Sequence, residues 1–451
     1  MTNKFSVLIK DKISSYNKKI KVPPDKSCTH RCIILASQCC GISKITGLES
    51  EDIRTTINGL RLLGTKIVKK KKVYHVYGNT ISGFKRFTGI INCSNSGTSL
   101  RSFLGILTCY PWPVTLTGDS SLRKRPVRRL TNYLERIGAV ITHPKNKNFS
   151  LPVRIHGTHI WALSQQHYLK IASAQIASAL IYAGIQTKGI TEIIETFETR
   201  DHLQRLLKYL GADIQIKKHK GKRITKIRGQ VEMQSFSIKI PGDFSSAIFL
   251  IVQTLLTEKS SLLIKSVCIN KNRIGAYYIL KAMGAKIKFF NKRKYFNEDV
   301  ADIYVVSSKL KGVRCKKKFI VSAIDDLLAV WVACSLAKGK SYFSQLSELR
   351  LKESDRITKT CENFKLFGIK TRSMGAKDKL IIYGNSSIKT NKLIKISGTL
   401  DHRVIMCMHV LANVTGCRVL IDGFETVDSS FPSWLKLQKH KFGSKYEVIK
   451  N

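Results

Sequence analysis

One unit recurs six times along this chain: a basic, amphipathic stretch that closes on an apolar residue followed by glycine. The pairs are Leu63-Gly64, Ile137-Gly138, Leu210-Gly211, Met283-Gly284, Phe367-Gly368 and Phe442-Gly443, and successive glycines stand 73 to 84 residues apart. A glycine just past an amphipathic run marks a helix C-terminus, where the chain turns through a conformation that side chains oppose. Each interval also holds a more apolar run opened by small polar or charged residues. These openings are Asp25-Lys26-Ser27, Asn95-Ser96-Gly97-Thr98, Ser173-Ala174-Gln175, Asp243-Phe244-Ser245-Ser246, Asp325-Asp326 and Asp401-His402-Arg403. The chain therefore reads as a sixfold array of two-helix units.

The apolar runs at 32–40, 100–109, 176–185, 247–256, 327–337 and 404–414 are hydrophobic nearly all round, which predicts helices buried on every side. None approaches the ~20 apolar residues that span a bilayer. The N-terminal Met1-Thr2-Asn3-Lys4-Phe5 carries no apolar run of signal-peptide length, so a cytoplasmic protein without membrane association is expected. Strand-like runs at 73–77, 114–116, 262–265, 303–306, 380–383 and 419–421 separate the helices, giving α/β units with mixed sheets. Six such units in 451 residues exceed one comfortable domain. Two domains of three units follow, one over 22–241 and one over 1–21 plus 242–451, with hinges near 21–24 and 239–243.

Twelve cysteines might suggest disulfides, but Cys32, Cys39, Cys40, Cys109, Cys334 and Cys407 sit inside apolar runs and behave as small hydrophobes. No C-x-x-C occurs and no Cys/His cluster has zinc spacing, so no metal is expected. The net charge of +48 is the sharpest compositional outlier. It suits a polyanion, yet the lysines are dispersed over runs at 69–72, 217–226, 292–294 and 316–318 rather than gathered on one element. Lysine drift on solvated surfaces explains that distribution better than a dedicated nucleic-acid face. In either case the charge favours small anionic substrates.

Chemistry concentrates where the apolar helices open. A helix start presents free N–H groups and a partial positive charge, worth ~0.3–1 kcal/mol toward a nearby anion. Taken singly, each Ser or Asp there is a plain N-cap. Together they form a constellation. Lys26, Ser27 and Arg31 surround the first start, with Ser27 and Arg31 at i, i+4. Asn95-Ser96-Gly97-Thr98-x-x-Arg101 supplies a glycine where bare backbone can approach a ligand. Arg123-x-Arg125-Pro126 places arginines before a helix whose first position can hold proline. In Glu348-Leu349-Arg350-Leu351-Lys352-Glu353-Ser354-Asp355-Arg356, Lys352 and Arg356 are expected on one helical face, with Glu353 beside Arg356 at i, i+3.

Eight ordered motifs carry a family resemblance: D-K-S-x-x-H-R from Asp25, N-x-G-T-x-x-R from Asn95, G-D-x-S-L-R-x-R-P from Gly118, S-x-Q-x-x-S-A-L from Ser173, R-D-H from Arg200, G-D-x-S-S-A from Gly242, L-R-x-K-E-S-D-R from Leu349 and D-H-R from Asp401. Across essentially its whole length the chain resembles the 5-enolpyruvylshikimate-3-phosphate synthase family. The resemblance implies an α/β fold of two globular domains, each of three inverse αβ units, that close over the substrates. It implies transfer of the enolpyruvyl group of phosphoenolpyruvate to the 5-hydroxyl of shikimate 3-phosphate, by addition and elimination, with no metal or organic cofactor. A monomer acting on these small molecules, with no obligate nucleic acid, is the expected working form.

The resemblance also assigns roles. Lys26, Arg125, Arg356 and Arg403 would hold phosphoenolpyruvate, with Gly97 in close backbone contact beside Asn95 and Thr98. Ser27, Arg31, Ser173, Thr199 and Arg200 would hold shikimate 3-phosphate, while Gln175 and Lys352 lie near both ligands. Asp325 matches the base that accepts the hydroxyl proton, and Glu353 the acid that protonates the methylene carbon; Lys26 belongs to the catalytic set as well. Asp325 also stands where it can cap the helix opening at Leu327. The acid's task is awkward, since Lys352 and Arg356 favour an ionised Glu353 and only burial or bound anions oppose them. Departures from the family pattern are Pro24 for glycine, Ala174 for a second serine, Asp326 and Leu328 for glutamate and proline, and Ser429 for a lysine of some members. Gly97 matches the glyphosate-sensitive form of the pocket.

Three alternatives are weaker. The sister transferase acting on UDP-N-acetylglucosamine normally shows Lys-Asn at the first helix, where this chain has Lys26-Ser27. RNA 3′-phosphate cyclases use related units and would suit the charge, but they need an adenylatable histidine and ATP. A retained fold with reduced activity is the third.

Overall fold

The computed structural model describes residues 4–143, 149–158, 162–375, 378–385, 387–388, 390, 392–397 and 400–450. The chain packs as two compact units. The first comprises Pro24–Ile240 with Lys294–Glu298, and the second Met1–Pro23, Pro241–Arg293 and Asp299–Asn451.

In the first unit, strand Ile42–Thr46 pairs in parallel with Ser237–Lys239 and antiparallel with Val73–Tyr77, which carries Lys66–Lys70 on its other side. Two further sheets repeat this order. One runs Ile90–Asn92, Pro113–Thr117, Val153–His156, Val140–Thr142; the other runs Gln166–Leu169, Ile190–Glu195, Lys222–Arg228, Ile214–His219. Each sheet thus has one parallel neighbour and an antiparallel pair beyond it. The buried apolar helices are Lys26–Ala36, Gly97–Leu107 and Ala174–Gly184, each partnered by an amphipathic one: Glu51–Leu62, Arg128–Ile137 and His202–Tyr209.

The second unit repeats the plan. Its sheets run Ile394–Ile396, Val419–Ile421, Phe5–Ile9, Tyr446–Lys450 and Asn17–Ile20, Ser261–Cys268, Glu298–Val306, Lys286–Tyr295. The third has three strands, Lys340–Phe343, Lys379–Tyr383 and Thr371–Met374, with a parallel bridge from Arg314 to Tyr342 in the place of the parallel neighbour. Its apolar helices are Phe244–Leu256, Leu327–Ser335 and His402–Thr415. Gly275–Ala282, Arg356–Leu366 and Trp434–Phe442 accompany them.

The expected apolar helices all form, but most begin a few residues earlier than hydrophobicity alone suggests, because the polar openings are themselves the first helical turn. The six repeat glycines all adopt positive φ, from 69° to 120°, which is the turn that ends each amphipathic helix. Each unit has its own continuous apolar core. The basic runs at 69–72 and 292–294 lie on outer strands and their turns, while 217–226 runs from an outer strand through a turn onto the inner strand Lys222–Arg228; all three are mostly exposed. Residues 294–298 belong to the first unit although their sequence neighbours lie in the second. Phe296 joins the first unit's core, and Glu298 Oε1 lies 2.7 Å from His202 Nδ1.

Candidate active site

In the first unit, three helix starts are tied together by their own side chains. Arg31 Nη1 donates to the Ser27 carbonyl at 3.0 Å, and Nη2 reaches Ser178 Oγ at 3.0 Å, linking the Lys26 and Ala174 helices. Gln175 Nε2 donates to Thr98 Oγ1 at 3.3 Å, linking the Ala174 and Gly97 helices. A buried chain closes the triangle: His30 Nδ1 to Thr56 Oγ1 at 2.8 Å, Thr56 to Ser99 Oγ at 2.7 Å, and Ser99 to Ser96 Oγ at 2.7 Å. Burial, reinforced by Lys26 and Arg31, holds His30 well below the usual imidazole range, so it serves this chain as a neutral ring. The caps are ordinary: Asp25 accepts from Cys28 N–H, Ser96 from Ser99 N–H and Ser173 from Ile176 N–H.

Around this triangle stand the cations. Lys26 Nζ lies 2.9 Å from Asp52 Oδ2. Arg125 Nη2 donates to Asn95 Oδ1 at 2.5 Å, and Asn95 Nδ2 to Asp119 Oδ2 at 2.8 Å. Gly97 sits beneath two guanidiniums: a Cβ there would be 2.8 Å from Arg101 Nη1 and 3.1 Å from Arg125 Nη1. Pro126 does not take the first helical position that suits its type; the helix starts at Arg128, behind Val127, which offers no side-chain cap.

Thr199 is buried, donating to Glu195 Oε1 at 2.7 Å and accepting from Arg223 Nη2 at 3.3 Å. Arg223 grips Glu195 with Nε and Nη2, each at 2.7 Å. Nothing in the sequence separated Arg223 from the exposed basic run around it, yet it is 2% exposed and anchors the segment that carries half-buried Arg200. Asp25, Cys28 and His202 bring potential metal-ligand atoms within 4.8 Å of one another, but Asp25 caps its helix and His202 Nδ1 is engaged by Glu298.

In the second unit a denser cluster gathers at the other three helix starts. Asp325 presents Oδ2 to Arg273 Nη1 at 3.1 Å, and Oδ1 to Lys352 Nζ at 3.3 Å and Arg356 Nη1 at 3.8 Å. Arg356 is fully buried: Nε donates to Asp401 Oδ2 at 2.8 Å and Nη2 to Glu353 Oε2 at 2.6 Å. Burial alone would lower its basicity, but Asp401 and Glu353 more than offset that and raise it. Arg403 Nη1 reaches the Asp325 carbonyl at 2.6 Å and Asp326 Oδ1 at 3.4 Å, and Ser245 donates to the same Asp326 oxygen. Burial pushes the Asp326 carboxyl up, against the pull of Arg273 and Arg403.

Two local expectations are corrected. Lys352 and Arg356 do not share a helical face, because the helix begins only at Arg356, where Asp355 caps it by accepting from Ile357 and Thr358 N–H. Lys352 has extended backbone, and it meets Arg356 through their common neighbour Asp325. Nor does Asp325 cap the Leu327 helix; Asp326 holds the cap position without a side-chain bond, which leaves the Asp325 carboxylate to the cations. Arg273, which contributes to that set, escapes sequence reading because a single arginine in a short polar loop carries no pattern of its own.

The sequence profile of the EPSP synthase (3-phosphoshikimate 1-carboxyvinyltransferase) family matches residues 10–437. A 3-phosphoshikimate 1-carboxyvinyltransferase from Zymomonas mobilis is 36% identical over 446 residues, covering 98% of this chain and 97% of its own. One from Bartonella tribocorum is 36% identical over 436 residues, with 96% and 97% covered. Among solved structures, EPSP synthase from Acinetobacter baumannii superposes with a TM-score of 0.84 at 32% identity, covering 98% of this chain and 99% of that one. The enolpyruvyl transferase NikO from Streptomyces tendae shares the fold, with a TM-score of 0.75 at 13% identity and both chains wholly covered.

Proposed function

The chain belongs to the EPSP synthase family and is an enolpyruvyl-transferring enzyme of the shikimate pathway, and we propose that phosphoenolpyruvate and shikimate 3-phosphate are its two substrates, used by a cytoplasmic monomer. The observation that carries this reading is the cluster of Asp325, Lys352, Glu353, Arg356 and Arg403, in which two carboxylates and three cations meet at buried helix starts. Planar guanidiniums suit phosphate and carboxylate because they donate paired hydrogen bonds.

In the addition step the 5-hydroxyl oxygen bonds to C2 of phosphoenolpyruvate while its proton passes to Asp325. The C2–C3 double bond opens, and C3 takes a proton from Glu353. In the elimination step C3 gives its proton back to Glu353, the double bond reforms and the C2–O bond to phosphate breaks, the proton held on Asp325 passing to the departing phosphate. Lys26, Arg125, Arg356 and Arg403 hold phosphoenolpyruvate against Gly97, with Asn95 and Thr98 supporting. Ser27, Arg31, Ser173, Thr199 and Arg200 serve shikimate 3-phosphate, and Gln175 and Lys352 serve both. Glu353 now occupies Arg356 Nη2 at 2.6 Å. An incoming anion that takes over this guanidinium leaves Glu353 to be protonated, which supplies the acid.

Phosphate release from the purified protein tests the reading. It is expected to require both substrates together, to be inhibited by glyphosate, and to fall by roughly 10²–10⁴-fold in Glu353→Gln. Release without shikimate 3-phosphate, or at the wild-type rate in the variant, would overturn it.

A further inference from the structure

The 270–274 loop brings a buried arginine to the base. Arg273 Nη1 lies 3.1 Å from Asp325 Oδ2, and Nη2 lies 3.4 Å from Asp243 Oδ1, the carboxylate that caps the Phe244–Leu256 helix. Its side chain is 4% exposed. The other oxygen, Oδ1, faces Lys352 Nζ at 3.3 Å and Arg356 Nη1 at 3.8 Å. The two oxygens of one carboxylate therefore have different surroundings. Oδ2 is held at hydrogen-bond distance by a sealed guanidinium, whereas Oδ1 has a lysine that is 26% exposed on a rotatable stem and, farther off, the buried Arg356.

Arg273 is itself fixed from both sides. Its N–H and that of Ile274 donate to the Asn270 carbonyl at 2.8 and 3.2 Å, and Asn272 N–H donates to Asn270 Oδ1 at 3.0 Å. Directly after it, Gly275 packs so tightly on the Lys317–Ala323 helix that a Cβ would stand 2.5 Å from the Phe319 carbonyl and 2.6 Å from Ala323 N. That helix leads straight into Asp325. Loop and base are thus registered through one rigid contact.

Resting on the reading of Asp325 as the base, we propose that Arg273 is its positioning residue: it locks Oδ2, so that Oδ1 is the oxygen that receives the substrate hydroxyl proton. Arg273 transfers no proton; it acts through the carboxylates of Asp325 and Asp243 that it holds. Charged groups facing Asp325 among the described residues include Arg273 from the loop, Lys352 ahead of the Arg356 helix, Arg356 on it, and Arg403 at the Asp325 carbonyl. Asp326 adjoins in sequence, while Asp243 and Glu353 act through Arg273 and Arg356. Each cation favours the ionised base, so removing one moves the acid limb of activity to higher pH.

The test is the pH dependence of kcat in Arg273→Gln and Arg273→Lys, with Asp325→Asn as the control. Arg273→Gln is expected to move the acid limb up by about one pH unit. It is also expected to lower kcat roughly 10–100-fold, with KM for either substrate changing less than about three-fold. Arg273→Lys restores the charge and hence the limb, but not the planar fork, so kcat stays about ten-fold low. Should the Gln variant not fold, wild-type kcat in Arg273→Lys overturns the proposal. So does an unmoved limb in a folded Arg273→Gln. Full activity in Asp325→Asn would instead remove the base assignment on which the proposal rests.

Discussion

Arg356 and Asp401 form a salt bridge sealed from solvent, with Nε 2.8 Å from Oδ2 and side chains 1% and 0% exposed. Asp401 also accepts from Arg403 N–H at 3.0 Å, so one carboxylate both caps the His402–Thr415 helix and orients the guanidinium at the candidate site. Stability and ligand recognition therefore meet in this pair.

Asp401→Ala would remove the Nε partner of a buried guanidinium and leave it Glu353 at Nη2, and breaking a buried pair from one side costs up to about 3–5 kcal/mol. Denaturant unfolding should show a loss of that size. A loss below about 1 kcal/mol would mean that water reaches Arg356 once Asp401 is gone.

Gly97→Ala places a methyl 2.8 Å from Arg101 Nη1 and 3.1 Å from Arg125 Nη1. Both neighbours are ends of flexible side chains, so the fold adjusts while the cations move. KM for phosphoenolpyruvate should rise about ten-fold, or ~1.4 kcal/mol, with the melting temperature nearly unchanged. An unaltered KM would place the ligand away from Gly97.

Two other glycines should behave oppositely. At Gly105 a Cβ would lie 2.2 Å from the Ala179 carbonyl, where the Gly97–Leu107 and Ala174–Gly184 helices touch backbone to backbone. Gly105→Ala should cost about 3 kcal/mol or more through overpacking. Gly211 has φ +77° and nothing within 4 Å of a Cβ, so Gly211→Ala costs only backbone strain, about 1 kcal/mol. Equal losses in the two variants, measured by urea unfolding, would contradict this contrast.

His409 is wholly buried against Phe424 and Trp434, and burial lowers its pKa from 6.5 to about 3. The unfolded chain takes up this proton below pH 6.5 while the folded chain does not, so the stabilisation is present above pH 6.5 and lost as pH falls. By pH 5 the loss from this ring is about 2 kcal/mol. His167, lowered by burial and Arg136 to about 4, acts in the same direction. His409→Gln should flatten the fall in unfolding free energy between pH 7 and pH 5 by that amount; an unchanged slope would show that the ring is protonated in the fold.

The repeat and its helices were legible because they depend on short-range chemistry. Gly64, Gly138, Gly211, Gly284, Gly368 and Gly443 end their helices with positive φ as their type demands, and the apolar runs bury themselves wherever they are placed. Strands 73–77 and 419–421 appear with the bounds read from the sequence, since alternating or wholly apolar runs leave a chain little choice. What failed was local geometry that competing caps decide. Asp355 won the helix start from Lys352, and Asp326 took the cap position from Asp325.

Of the charge pairings at the site, Glu353 with Arg356 three residues on was legible, but the long-range partners were not. Arg273 and Arg223 look like any other basic residue of a chain with net charge +48, yet both are buried, Arg273 holding the candidate site residue Asp325 and Arg223 holding Glu195 beside Thr199. The sequence by itself determined the repeat, the class of fold and the set of residue types at the helix starts, because these follow from periodicity and from groups a few residues apart. Only the tertiary structure decided which cation faces which carboxylate and which oxygen it takes. Apart from Glu353 with Arg356, those pairings join residues far apart along the chain, and no local pattern encodes a distance that packing alone sets.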